Sequence, residues 1–269
     1  MRIAVTSGYS KSLHAAALVV ALKRAGHDVG LCLNVRVLSA GRLRFYTRQL
    51  GWRRLWSKFR SRTLDDAAPK TAGRGEIEPM RDWMRENRIE ETNVPDACRA
   101  SGTKLVNVAD LNSPAAIAEL KNYRPDLVVY AGGGIVRKPF LETPRIGVLN
   151  AHGGPLPRFR GMNAAEWSVL HGVPPSVCVI FLDAGIDTGP IVLEKPIPLE
   201  PCVDVPTLRG WGTRMSVVAL LEAVEKVAQP DFTPTPQDKS AGKQYFIMAH
   251  AMLPIVERRL AAMRDSMKQ

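Results

Sequence analysis

The sequence predicts an α/β fold, a doubly wound and mostly parallel sheet followed by a small C-terminal helical appendage. Three observations predict it. An apolar strand, an apolar helix and a second strand follow one another directly over residues 1–35, which is how a parallel sheet begins. Leu127–Tyr130 is an unbroken apolar run, the pattern of a strand buried on both faces. From Ile146 onward, glycines and polar residues gather at the ends of further apolar strands, as they do where an open sheet carries a site at its carboxyl edge.

Taken in order, Met1–Val5 reads as a strand, Ser7–Ser10 as a turn, Leu13–Arg24 as a helix ending at Gly26, and Val29–Val35 as the next strand. The turn S-G-Y-S-K-S matches neither the dinucleotide fingerprint nor the P-loop. Leu13–Leu22 is apolar enough to suggest a leader peptide. The strand before it and Lys23-Arg24-Ala25-Gly26 after it make it a strand–turn–helix instead.

Arg36–Arg62 interleaves Arg42, Arg44, Arg48, Arg53, Arg54, Lys58, Arg60 and Arg62 with leucines, tryptophans and phenylalanines. Trp52, Leu55, Trp56 and Phe59 follow helical spacing. Three readings compete for this segment: packing on the domain, lying on an anionic membrane surface, and gripping RNA backbone. A polar stretch with two short charged helices follows, so residues 36–100 read as a basic and helical insertion.

Leu105–Val108 is a strand, Ser113-Pro114 starts the helix Ala115–Asn122, and Leu127–Tyr130 runs into the triple glycine Gly132–Gly134. Asn163–His171 and Thr207–Val227 are helical, 229–236 is an extended linker, and a helix over 253–267 finishes the chain. The expected division is a catalytic domain over 1–200 and a helical extension over 201–269.

The 269 residues can bury a full core, and a hydrophobic content of 45% is ordinary for a globular protein. The four cysteines form no C-x-x-C pair, which fits reduced thiols in a cytoplasmic protein. No stretch approaches the roughly 18 apolar residues of a membrane span. A net charge of +11 favours an anionic partner. His14, His27, His171 and His250 show no metal-ligand spacing, so no metal is expected.

The chemistry-bearing stretch is I-G-V-L-N-A-H-G-G-P-L-P-R-F-R-G, followed by D-A-G-I-D-T-G-P-I. Asn150 and His152 stand two apart on a strand and so share a face. An amide donor and an imidazole there suit an oxyanion and a proton transfer. Asp187, in the turn between two apolar strands, can hold the imidazolium, orient an incoming amine, or anchor a water that relays protons. Asp183 beside Gly185 reads as a turn-forming aspartate.

N-x-H, the P-L-P-R-x-R-G loop and D-x-G-I-D-T-G-P-I together resemble the 10-formyltetrahydrofolate-dependent formyltransferases, most closely over Val128–Leu193. The resemblance implies a Rossmann-like, formyltransferase-like fold and 10-formyltetrahydrofolate as co-substrate. It implies catalysis by Asn150, His152 and Asp187, and a pteridine held by main-chain groups of Gly134, Ile135 and Val136 on one side and of Asp183, Gly185 and Ile186 on the other. The triple glycine departs from the bulkier residues usual there. Arg158 and Arg160 either bind a substrate phosphate or solvate their loop. The family's acceptors are glycinamide ribonucleotide, methionyl-tRNA and nucleotide-linked amino sugars. The expected function is N-formyl transfer to a nucleotide-linked amino sugar, because few strand signals after Leu199 suggest the β-barrel usual in tRNA-acting members. The alternatives are an RNA-binding methionyl-tRNA formyltransferase-like enzyme and a formyltetrahydrofolate hydrolase.

Overall fold

A computed structural model describes residues 1–35 and 74–267. The Arg36–Arg62 segment, with its packing, membrane and RNA readings, lies outside the described residues. In chain order the first elements are β1 (Arg2–Ser7), α1 (Leu13–Arg24), β2 (Asp28–Val35), α2 (Arg74–Glu86), α3 (Val94–Ser101), β3 (Lys104–Val108), α4 (Pro114–Tyr123), β4 (Leu127–Tyr130) and α5 (Lys138–Leu141). They are followed by β5 (Gly147–His152), β6 (Phe159–Gly161), α6 (Ala164–Leu170), β7 (Ser176–Phe181), β8 (Ile191–Pro196), α7 (Val205–Val227), β9 (Lys243–Tyr245) and α8 (Leu253–Ser266). No described helix is long and apolar enough to cross a membrane.

The described parts of Met1–Ala72 and Glu91–Ile146 form one compact unit, and those of Gly73–Glu90 and Gly147–Gln269 a second. In the first, four strands run in the order β3-β2-β1-β4, all parallel. Parallel neighbours need crossover helices, and the sequence caps these helices sharply. The Ser12 hydroxyl accepts from Ala15 N–H at the start of α1, Asn93 accepts from Asp96 N–H before α3, and Ser113 accepts from Ala116 N–H before α4. Helix α3, within the expected 36–100 insertion, packs against α1 and borders β3 as the crossover helix from β2 to β3. Asn34, at the carboxyl end of β2 and 1% exposed, donates to Ser10 Oγ at 3.0 Å and to Asn107 Oδ1 at 2.8 Å, tying three strand ends together.

In the second unit the strands run β5-β7-β8, antiparallel throughout. The short turn over 182–190 accounts for the β7–β8 pairing, since antiparallel neighbours need no crossover. Leu149, Val177, Cys178, Val179 and Ile180 are fully buried, and α7 covers these strands. Helix α2 packs on α7. A second, two-stranded sheet pairs β6 with β9 in parallel. Asp204 and Thr207 close a reciprocal box at the start of α7: Thr207 N–H donates to Asp204 Oδ1 at 2.8 Å, and Asp204 N–H to Thr207 Oγ1 at 3.0 Å.

Replacing Asp204 by Ala removes the side-chain half of that box, the acceptor of the Thr207 N–H, and leaves the backbone N–H of residue 204 to Thr207 Oγ1. The expected cost is about 1 kcal/mol, read as a melting temperature lower by roughly 2–4 °C in a thermal circular-dichroism scan.

Candidate active site

Strand β5 delivers Asn150 and His152 opposite Ile180 and Cys178 of β7. Asn150 is half-buried, and His152 is 6% exposed. Both ring nitrogens of His152 are engaged: Nε2 lies 2.7 Å from the Phe159 carbonyl, and Nδ1 lies 3.3 Å from Asp187 Oδ2. A carbonyl only accepts, so Nε2 carries a proton. Nδ1 then faces the Asp187 carboxylate, which makes it the ring nitrogen at which a proton taken up by the imidazole would be held.

Asp187 reaches this position in the left-handed region, at φ +53°, which costs an L-residue about 1–2 kcal/mol. Its side chain is 15% exposed. Oδ2 also accepts the Gly161 N–H at 2.9 Å. Gly161 is at φ +95°, and a Cβ there would stand 2.2 Å from the Tyr245 carbonyl. Only glycine lets β6 lie this close to β9 while its N–H faces the aspartate.

The other expected residues fall as follows. Asp183 builds the turn before Asp187: its Oδ1 accepts from Gly185 N–H at 2.9 Å and Thr188 Oγ1 at 2.7 Å, and Lys239 Nζ lies 3.4 Å from Oδ2. Burial pushes the Asp183 carboxyl up, but the Thr188, Gly185 and Lys239 contacts outweigh it and hold it below the ordinary value. Gly185 and Ile186 are exposed on the same turn. Arg160 spends its guanidinium on the Lys239 carbonyl at 3.0 Å and the Gly242 carbonyl at 3.1 Å. Arg158 is exposed, 5.6 Å above the Phe159 ring.

Gly134, Ile135 and Val136 lie in the first unit, on a loop that its own backbone bonds tie down. Gly132, Gly133 and Gly134 all have positive φ, and a Cβ on Gly133 would meet Leu111 Cδ1 at 2.5 Å. The Tyr130 hydroxyl donates to Gly134 O at 2.7 Å and accepts from Gly134 N–H at 3.1 Å. Asn112 Nδ2 donates to Ile135 O, and Asn112 Oδ1 accepts from Arg137 N–H. Both backbone groups of Gly134 are thus taken, as is the Ile135 carbonyl.

Burial pushes the Cys178 and Cys202 thiols up to about 12, so neither supplies a thiolate near neutral pH. Among the described residues, no group of three or more His, Cys, Asp or Glu is placed to hold a metal ion. Sequence reasoning missed the Phe159 carbonyl, the Gly161 N–H, Tyr130 and Gln237. The first two are backbone groups without a side-chain signature, and Gln237 follows a proline-rich linker.

Residues 81–224, more than half of the 269-residue chain, match the sequence profile of the Formyl transferase family. The chain belongs to the formyl transferase family. It is 34% identical over 149 residues to the methionyl-tRNA formyltransferase of Roseiflexus sp. (strain RS-1), covering 55% of this chain and 46% of that protein. The chain spans about half the length of the curated relatives it matches. Among solved structures, phosphoribosylglycinamide formyltransferase from Anaplasma phagocytophilum superposes at a TM-score of 0.57, with 17% identity, over 92% of this chain and 99% of that one. A sugar N-formyltransferase from Shewanella sp FDAARGOS_354 gives 0.56, with 12% identity, over 97% and 87%. These likenesses establish the α/β formyltransferase fold.

Two outcomes follow from this geometry. Gly133→Ala forces a Cβ into Leu111 in a backbone region closed to L-residues; the expected loss is about 1–3 kcal/mol, measured by urea unfolding. For Asp183, the folded-state pKa lies below the unfolded value of about 3.9. Its stabilisation is complete above that value and disappears as pH falls through the folded-state pKa. Asp183→Asn should therefore lower the melting temperature at pH 6, with the difference from wild type shrinking as pH falls below 3.9.

Proposed function

We propose that this formyl transferase family member moves the formyl group of 10-formyltetrahydrofolate to a primary amine, most suitably on a nucleotide-linked amino sugar. The carrying observation is the buried contact of His152 Nδ1 with Asp187 Oδ2 at 3.3 Å, the histidine standing two residues beyond Asn150 on β5.

The acceptor amine attacks the formyl carbon, forming a C–N bond and a tetrahedral oxyanion. The bond to folate N10 then breaks, the amine loses one proton and N10 gains one. Asn150 donates its amide N–H to the oxyanion. The His152–Asp187 pair takes the amine proton and returns it to the departing nitrogen. His152 trades its Phe159 or Asp187 contact for the substrate as this happens. The resemblance to the family gives main-chain contacts with the pteridine to the Gly134–Val136 loop and to the turn over Asp183, Gly185 and Ile186. On that loop the N–H groups of Ile135 and Val136 would serve, since both backbone groups of Gly134 are taken. Arg158, exposed above the Phe159 ring, would meet an acceptor phosphate, while Arg160 shapes the loop.

The net charge of +11 supports an acceptor that carries phosphates, and the sugar N-formyltransferase fold aligns over nearly the whole chain. A methionyl-tRNA acceptor is the second reading, favoured by the identity to the Roseiflexus protein.

The test is consumption of 10-formyltetrahydrofolate by the purified protein with nucleotide-linked amino sugars, glycinamide ribonucleotide or methionyl-tRNA as acceptor. Turnover that requires one amino sugar supports the proposal, with His152→Ala and Asn150→Ala each expected to lower kcat by about 10²–10³. Turnover confined to methionyl-tRNA selects the second reading. Formate released at the same rate without any acceptor overturns both in favour of a hydrolase.

A further inference from the structure

The segment 235–245 lies beyond the family match, which ends at residue 224, yet it contacts the site repeatedly. Thr235 is bridged to Ile191 by two backbone hydrogen bonds of 2.8 Å. Gln237 Nε2 donates to the Asp187 carbonyl at 3.2 Å and also to the Gly189 carbonyl. The carbonyls of Lys239 and Gly242 receive the Arg160 guanidinium. Strand β9 then runs beside β6, where the Tyr245 carbonyl accepts Met162 N–H at 3.0 Å and the Tyr245 ring lies 5.3 Å from that of Phe159. One stretch of chain thus fixes Asp187 from behind and also places Phe159 and Gly161, whose backbone groups engage His152 and Asp187 from the front.

We propose that Gln237 is a positioning residue for the His152–Asp187 pair, acting by holding the left-handed backbone of Asp187 through the carbonyls of Asp187 and Gly189. This inference rests on the formyl-transfer reading above. The turn carries the one aspartate whose positive φ aims its carboxylate at His152, and an L-residue relaxes from that region unless something external holds it. Gln237 is the side chain that does so. Its orientation has one solution. Both partners are carbonyls, so the amide nitrogen must face them, and a flipped amide would set oxygen against two oxygens. The remaining atom, Oε1, is buried and has no partner among the described residues, a cost accepted to keep the donor in place.

The effect on catalysis passes through geometry. If the Asp187 backbone relaxes, its carboxylate leaves Nδ1 of His152, and a displacement near 1 Å at a reacting group costs about 10²-fold in rate. Acceptor binding, made elsewhere, is unaffected. The folate contacts proposed for Asp183, Gly185 and Ile186 lie on the same turn, so the acceptor KM is the binding readout that separates the two effects.

The test compares wild type, Gln237→Met, which keeps the side chain's length without a donor, and Gln237→Glu, which keeps its shape and turns oxygen toward the carbonyls. Wild-type turnover is measured first, since its absence with every acceptor sinks the formyl-transfer reading and not this one. Nitrogen NMR of the His152 ring, with Asp187→Asn as the reference for a broken pair, needs no turnover. The expected result is a His152 Nδ1 resonance moved toward that reference in both variants, with kcat lower by about 10–100-fold. The acceptor KM should stay within about threefold and melting temperatures within roughly 5 °C of wild type. Should Gln237→Met fail to fold, Gln237→Glu carries the same readouts. A resonance left at its wild-type position overturns the proposal, as does an unchanged kcat, or a loss confined to KM.

Discussion

Everything at the candidate site depends on the contact between the His152 imidazole and the Asp187 carboxylate. A histidine that is 6% exposed keeps a charge-sharing partner only if that partner is delivered in register. The protein delivers it from a turn between two antiparallel strands, in a backbone conformation that L-residues avoid. The Gly161 N–H, the Phe159 carbonyl and the Gln237 amide then each remove one way for the pair to come apart. Four pieces of chain converge on one contact between an imidazole and a carboxylate.

The same economy appears at the glycine loop. Three successive positive-φ glycines suggest looseness, yet one phenol holds Gly134 by donating and accepting at once. Rigidity here comes from hydrogen bonds made around the glycines. The glycines allow the tight path, and Tyr130 and Asn112 decide which path is taken.

Much of this was legible from the residues alone. β1, α1, β2 and β4 follow from apolar runs and caps. Spacing puts Asn150 and His152 on one face of a strand tip, while the roles expected of Asn150, His152 and Asp187 come from the resemblance of N-x-H and D-A-G-I-D to the formyltransferases. What escaped was carried by atoms that every residue has, namely the Phe159 carbonyl and the Gly161 N–H, or by a residue in an extended segment without periodicity, Gln237. Arg160 was legible as a basic residue beside the site, but its target was not. Its guanidinium closes on the Lys239 and Gly242 carbonyls, some eighty positions away, a pairing that only tertiary folding reveals.

The chain path of the second unit has a consequence for biosynthesis. Helix α2 leaves the ribosome more than a hundred residues before α7, the helix on which it packs. Until then its apolar face, with Met80, Trp83 and Met84, has no native surface to cover. The nascent chain thus carries this amphipathic segment without its α7 partner while the residues between them are made, at a few to some twenty residues per second. The second unit can close only once α7 has emerged, so its completion waits on a helix made long after α2.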